Sequence, residues 1–321
     1  MGPLLFEPIF QQRIWGGRKL EQFYGKAIPA GLPIGESWEI ADRPEAVSIV
    51  KNGPHQGQTL RSLMQSHGRE ILGKEGSEPF PLLIKILDAQ QKLSLQVHPP
   101  ENKCKALGGE PKTEMWYVAH AEPGAELFVG LKRGATREEF HQRLNNGTVA
   151  ECFHRLSVRQ GDAMFLPSGR VHAIGGGLVI FEVQQNSDTT YRVYDWVRVD
   201  DRGRPRQLHV KESLECIDFD DIEPALVSPV VEPFHGGVKK GLVDCRLFKV
   251  DYYRLDDGAF IQFGPGKMRI VSCLSGAIEV KTTEGTETLS TGTFVLLPAA
   301  LQYSGLKAVG ASEFLVILSG E

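Results

Sequence analysis

The chain has 321 residues, room for two domains of ordinary size, and its 41% hydrophobic and 24% charged residues exclude a disordered, collagen-like or coiled-coil protein. Its 36 basic and 40 acidic residues leave a net charge of −4, with no basic footprint for nucleic acid and no polybasic patch for a membrane surface. No apolar run is long enough to span a bilayer, residues 1–7 lack the pattern of a secretory signal, and five scattered cysteines without a Cys-x-x-Cys pair read as reduced thiols of a cytoplasmic protein.

Thirty-five glycines and 19 prolines punctuate short apolar runs. The first clear element is a helix over 59–72, where Leu60, Leu63, Met64, Ile71 and Leu72 follow helical spacing and Gly73 ends it. Strands follow at 81–87, 93–98 and 115–119. Thr136-Arg137-Glu138-Glu139 has the form of a capping box, with Phe140 and Leu144 on one face of the helix it opens. Further strands are expected at 163–167, 178–183 and 269–274, and a short helix at 210–216. Many short strands and few helices point to an all-β sandwich or barrel.

The sequence repeats once. Residues 161–172 (GDAMFLPSGRVH) lie on 292–303 (GTFVLLPAALQY), with Gly161 and Pro167 spaced as Gly292 and Pro298 are. Hairpin-like strands precede each copy. This pattern implies two copies of one β-unit, offset by 131 residues, with a first domain over 1–232 and a second over 233–321. The boundary falls in a proline- and glycine-rich stretch, 224–237. His172 has Tyr303 as its counterpart, and no histidine follows His235, so a histidine-based metal site belongs to the first unit alone.

The chemistry concentrates in that unit. In 93–100 (LSLQVHPP), strand alternation puts Gln96 and His98 on one face. Glu114 stands at the mouth of the 115–119 strand, and His172 follows the turn Pro167-Ser168-Gly169. An antiparallel sheet can bring His98, Glu114 and His172 together as a ligand set for a divalent metal with an open position. The Gln96 amide oxygen is a candidate fourth ligand. Spacing alone leaves open that these are hydrogen-bonded core residues. The stretch 182–196 is dense in polar and aromatic residues, and its Arg192 suits a developing enediolate or another anion.

Six segments taken together carry a resemblance: Trp15-Gly16-Gly17, Gly35-Glu36-Ser37-Trp38-Glu39, LSLQVHP at 93–99, KTEMWYV at 112–118, GDAMFLPSGRVHA at 161–173 and DTTYRVYDW at 188–196. The chain resembles the type I mannose-6-phosphate isomerases in their short bacterial form, over most of residues 10–215, and 161–172 is also the second motif of cupin jelly rolls. The resemblance implies two cupin-like jelly-roll β-sandwich units with a few short helices. It implies one Zn2+ per chain on Gln96, His98, Glu114 and His172, and interconversion of mannose 6-phosphate with fructose 6-phosphate. The family's active-site Arg falls on Arg192, its Lys before the metal Glu on Lys112, and its Asp before the Arg on Asp188.

Longer members read His-Lys-Pro-Glu where this chain reads Pro111-Lys112-Thr113-Glu114, and their large helical insertion is missing. Lys112 or Asp188 is expected to carry the proton, Lys112 only if its pKa is lowered from about 10.4. The substrate phosphate has Ser94, Lys112, Lys132 and Arg170 as candidate partners. Trp15 suits a pocket wall, whereas Trp38 and Trp116 read as core. Two other readings stand beside the isomerase: an Fe(II) cupin oxygenase, because the same ligand set binds iron, and a non-catalytic sugar-binding double cupin. The sequence leaves monomer and homodimer open.

Overall fold

Glycine and proline interrupt the apolar runs every few residues, and between the breaks the chain is extended. The computed structural model describes residues 1–74, 79–199 and 202–320. Its first part supplies β1 (Ile9–Gly17), β2 (Ile34–Ile40), β3 (Leu82–Ala89), β4 (Leu95–Val97), β5 (Glu114–Ala121), β6 (Glu126–Leu131), β7 (Phe153–Ser157), β8 (Ala163–Leu166), β9 (His172–Ile174), β10 (Leu178–Gln185) and β11 (Tyr191–Tyr194). They form a six-stranded sheet, β1-β2-β3-β10-β5-β8, and a five-stranded one, β11-β4-β9-β6-β7. The second part supplies β12 (Val231–Phe234), β13 (Gly237–Asp244), β14 (Phe248–Leu255), β15 (Phe260–Phe263), β16 (Arg269–Thr282), β17 (Gly285–Ser290), β18 (Phe294–Leu297) and β19 (Ser304–Ser319). These run β12-β13-β14-β19-β16-β17, with β15 beside β19 and β18 beside β16. The pairings are antiparallel, as an all-β fold with few helices requires.

The helices are α1 (Lys19–Tyr24), α2 (Leu60–Leu72), α3 (Glu101–Leu107), α4 (Arg137–Asn145) and α5 (Val210–Cys216). The Thr59 hydroxyl caps α2 by accepting from the Ser62 N–H at 3.2 Å, and Gly73 ends it at φ +78°. The capping box of α4 closes both ways. Thr136 Oγ1 accepts from the Glu139 N–H at 3.1 Å, and the Glu139 carboxylate accepts from the Thr136 backbone. α1 and α3 were not expected; they are six and seven residues long, and α3 buries no side chain and so carries no apolar face to read.

The repeat has a structural form. β8 and β18 lie 131 residues apart at both ends, and Gly161 and Gly292 precede them with φ of +92° and +79°. In each unit the short strand pairs with a long one, β8 with β5 and β18 with β16. Leu166 faces Glu114 in the first pair, whereas Leu297 faces Arg269 in the second. An arginine therefore stands where the first unit has its carboxylate.

The six-stranded sheet works on both faces. On β3, β5 and β10 one face carries Ile84, Ile86, Met115, Tyr117, Phe181 and Val183 into a buried cluster shared with Phe248, Ile270, Phe294 and Ile317 of the second unit. Phe181 stacks on Phe294 with ring centroids 5.5 Å apart, and Leu4 makes a backbone bridge to Leu296. The opposite face packs Leu87, Trp116, Val118 and Ile180 against Leu127 and Ile174 of the five-stranded sheet. All five cysteines are free, and among the described residues no helix is long and apolar enough to cross a membrane.

Because one core crosses the boundary between the units, Phe181→Ala is expected to cost about 3–5 kcal/mol in urea denaturation. All four tryptophans lie in the first unit, at or before Trp196. Fluorescence and far-UV circular dichroism are nonetheless expected to report a single coincident transition. An earlier fluorescence transition would show that the units unfold separately.

Candidate metal centre and active-site cleft

Short strands converge on one buried point. β4 pairs with β9, placing Gln96 opposite His172, and with β11, placing Gln96 opposite Arg192. Glu114 opens β5 and His98 leaves β4. His98, Glu114 and His172 are 2%, 0% and 1% exposed, and one donor atom from each lies within 4.8 Å of the others.

Backbone carbonyls set the tautomers. Taking each Nδ1 as the protonated nitrogen, His98 donates to Thr189 O at 2.8 Å and His172 to Arg170 O at 2.9 Å. Both Nε2 lone pairs then face Glu114, at 3.5 Å and 3.4 Å from its carboxylate oxygens. Burial lowers the His98 pKa and, with His98 beside it, pushes His172 down to about 3 despite Glu114, so both rings are neutral. Neither oxygen of Glu114 accepts a hydrogen bond, although Lys112 Nζ lies 2.7 Å from Oε2. Two imidazole nitrogens aimed at one buried carboxylate, neither of whose oxygens accepts a hydrogen bond, are a donor set suited to a divalent cation such as zinc. Gln96 joins through its amide nitrogen, 3.3 Å from His172 Nε2, while its Oε1 faces the Ser94 hydroxyl at 3.5 Å. Turning the amide over would exchange the two.

Lys112 differs from the sequence expectation. Burial does push its pKa down, but Glu114 and then Glu182 outweigh burial, and the net shift is upward. With no metal on Glu114, Lys112 is a firm ammonium, and it also contacts His98 Nε2 at 3.2 Å.

A cleft of about 480 Å³ opens onto Gln96, Lys112 and Trp116. Ser94, Asp188 and Arg192 line it too, on one cleft with Gln96 and Lys112. Arg192 donates from Nη1 to Gln207 O at 2.7 Å, and its buried Nε has no acceptor. Burial, and then Arg206, lower its pKa. Asp188 is 43% exposed at its side chain and lies 3.8 Å from Lys85.

Two phosphate candidates fall elsewhere. After Gly130, at φ +65°, the chain turns toward α4; the Lys132 N–H donates to Cys152 O, and its charge acts on Glu139 and Cys152, outside the cleft. Arg170 is held by Asp221 through two 2.8 Å bonds and donates to Phe165 O. Trp116, read as core, lines the cleft and donates from Nε1 to Glu182 at 2.9 Å. Among the described residues the last one lining the cleft is Arg206.

The sequence reading missed Arg13, Glu36, Lys85 and Glu182, which also line the cleft. Lys85 and Glu182 are cross-strand neighbours on β3 and β10, 3.5 Å apart. Burial and Glu114 raise the Glu182 pKa. Burial raises Glu36 as well, but Lys85 and Arg13 outweigh it and bring the pKa down to about 2. The available signal was a single charge in the middle of each of two apolar strands, which a folded chain must pair.

A sequence profile for the phosphomannose isomerase type I catalytic domain matches residues 4–110. The mannose-6-phosphate isomerase ManA of Bacillus subtilis is 37% identical over 316 residues, 98% of each chain. The mannose-6-phosphate isomerase of Streptococcus mutans is 38% identical over 303 residues, 94% of this chain and 93% of its own. Among solved structures, a mannose 6-phosphate isomerase from Bacillus subtilis superposes with a TM-score of 0.90, at 31% identity and 99% coverage of both chains.

The depressed pKa of Glu36 predicts a pH dependence. Its folded value of about 2 lies below the ordinary 4.5, so its contribution is complete above pH 4.5 and is lost as the pH falls through 2. Linkage puts that contribution at about 3 kcal/mol. Glu36→Gln is expected to flatten this part of the urea-stability profile; parallel profiles for the two proteins would refute the assignment.

Proposed function

The chain belongs to the type I phosphomannose isomerase family, and from that premise we propose that it interconverts mannose 6-phosphate and fructose 6-phosphate in this cleft. The reading includes an enediolate intermediate and one zinc ion held by His98, Glu114, His172 and Gln96. Its main support is the buried donor set, two imidazole nitrogens aimed at one carboxylate, beside a cleft lined by Lys112, Asp188 and Arg192. Zinc supplies Lewis-acid polarisation of a sugar oxygen without redox chemistry.

The remaining work falls to the side chains. An aldose–ketose interconversion moves one proton between C1 and C2 and another between O1 and O2. Asp188, a carboxylate at the mouth of the cleft, is our base at carbon. Lys112 is our donor at oxygen: Glu114 is the largest influence holding its proton on, and a cation on Glu114 would weaken that hold while Glu182 and Asp188 kept theirs. Glu182, whose pKa burial above all pushes up, is the further carboxylate on the cleft able to hold a proton. Arg192 Nε, buried and without an acceptor, is our donor to the enediolate oxygen, in surroundings where such a bond counts for more than in water. Ser94, with Arg13 and Arg206 on the same cleft, is our partner for the phosphate.

We further propose that residues 1–232 form the catalytic domain and 233–321 a jelly roll backing it. The five free thiols support a reducing, cytoplasmic setting.

The deciding experiment is the initial rate of fructose 6-phosphate formation from mannose 6-phosphate, before and after chelation, with zinc added back. Turnover lost to the chelator and restored by zinc is expected. Absence of turnover from folded, zinc-loaded protein would sink the reading, and oxygen consumption with Fe(II) would put an oxygenase in its place. Arg192→Ala is expected to lower kcat by about 10²–10³-fold with zinc content unchanged. Unaltered kcat would remove Arg192 from the chemistry.

A further inference from the structure

Trp38 is 1% exposed and stands behind the cleft rather than on its wall. Size and burial alone make it a core residue, but its contacts are those of a different kind of group. In the register of β2 and β3 it lies opposite Lys85; Lys85 lies opposite Glu182, and Glu182 opposite Trp116. One row thus crosses four strands, with an ion pair inside and an indole at each end. Alternation along β2 puts Glu36 on the same face as Trp38.

The Trp38 indole touches two opposite charges. Its Nε1 donates to Glu36 Oε2 at 2.7 Å, and Lys85 Nζ lies 5.0 Å from the ring centroid. The N–H edge suits an anion and the π face a cation. Glu36 in turn holds the Arg13 guanidinium through bonds of 2.8 Å and 3.3 Å.

Lys85 needs such an anchor. Three carboxylates surround it at similar distances: Glu182 at 3.5 Å, Asp188 at 3.8 Å and Glu36 at 3.9 Å. None is a tight ion pair, so electrostatics alone does not fix the ammonium among them. We infer that Trp38 is a positioning residue. By engaging Glu36 it keeps that carboxylate from drawing Lys85 away from Glu182 and Asp188, and its ring sets where the ammonium rests. It acts on the reaction without touching substrate, through Lys85 on the proposed base Asp188 and on Glu182, and through Glu36 on the proposed phosphate partner Arg13. The kinetic part of the inference rests on the isomerase reading; the geometric part does not.

The test is a double-mutant cycle on Trp38→Phe and Glu36→Gln. Trp38→Phe keeps a ring and loses the N–H. It is expected to lower kcat/KM for mannose 6-phosphate about tenfold, with zinc content unchanged. In the Glu36→Gln background the same change is expected to add little, because the charge that the N–H engages is gone. Fully multiplicative effects, or a lowered Tm with wild-type kcat and KM, would overturn the inference and return Trp38 to the core. A wild type without turnover would instead sink the isomerase reading. A crystal structure of the Trp38→Phe protein then decides separately: Lys85 Nζ displaced toward Glu36 supports the inference, and an unmoved Lys85 refutes it.

Discussion

Everything in the first unit answers to the burial of charge on one face of a sheet. Glu36, Lys85, Lys112, Glu114 and Glu182 are each less than a tenth exposed. A solitary buried charge costs several kcal/mol, so the fold survives only if the signs alternate. They do: Arg13 meets Glu36, Lys85 lies among Glu36, Glu182 and Asp188, and Lys112 meets Glu114. The same requirement fixes strand register. A slip of one residue in β3 or β10 would turn Lys85 or Glu182 onto the face of Ile84, Ile86 and Phe181. Correct pairing of the sheet and correct assembly of the cleft are thus a single event.

How much of this was legible in the sequence depended on the range of the signal. Local chemistry was plain: the caps of α2 and α4, the bounds of α5, and the repeat that places β8 and β18 at the same offset. His98, Glu114 and His172 were legible as donors with metal-ligand character, and the family motifs supplied their convergence. Lys85 and Glu182 were not, because each is one charge within an apolar run, and its meaning appears only when β10 lies beside β3. Lys132 and Arg170 failed for the opposite reason. A cation near a motif reads as a phosphate partner until the fold shows Lys132 outside the cleft and Arg170 already held by Asp221. The direction of the Lys112 shift likewise required the 2.7 Å contact with Glu114, which no spacing encodes.

The second unit repeats the architecture and drops the chemistry. Arg269 occupies the place of Glu114 and Tyr303 that of His172, and among the described residues the one His/Cys/Asp/Glu cluster suited to a metal is that of His98, Glu114 and His172. Its contribution is mechanical. Phe248, Ile270, Phe294 and Ile317 press on the apolar backs of β3, β5 and β10, whose other faces carry Lys85, Glu114 and Glu182. A sheet backed in this way has little freedom to flex, and the spacing of charges across its strands is held to the tolerance of core packing.

The carbonyl of Thr189 links two sites that are otherwise described separately. It fixes the His98 ring, and its own residue lies between Asp188, at the mouth of the cleft, and Thr190, which lines it; Arg192 is three residues farther on. In the proposed reading, a sugar held by the cleft and a cation held by His98 would both bear on this one run of backbone. The free energy of that mutual restraint is the same whichever ligand arrives first. Under that reading cation and sugar affinities would be joined through one short run of backbone, and each would in part measure the other.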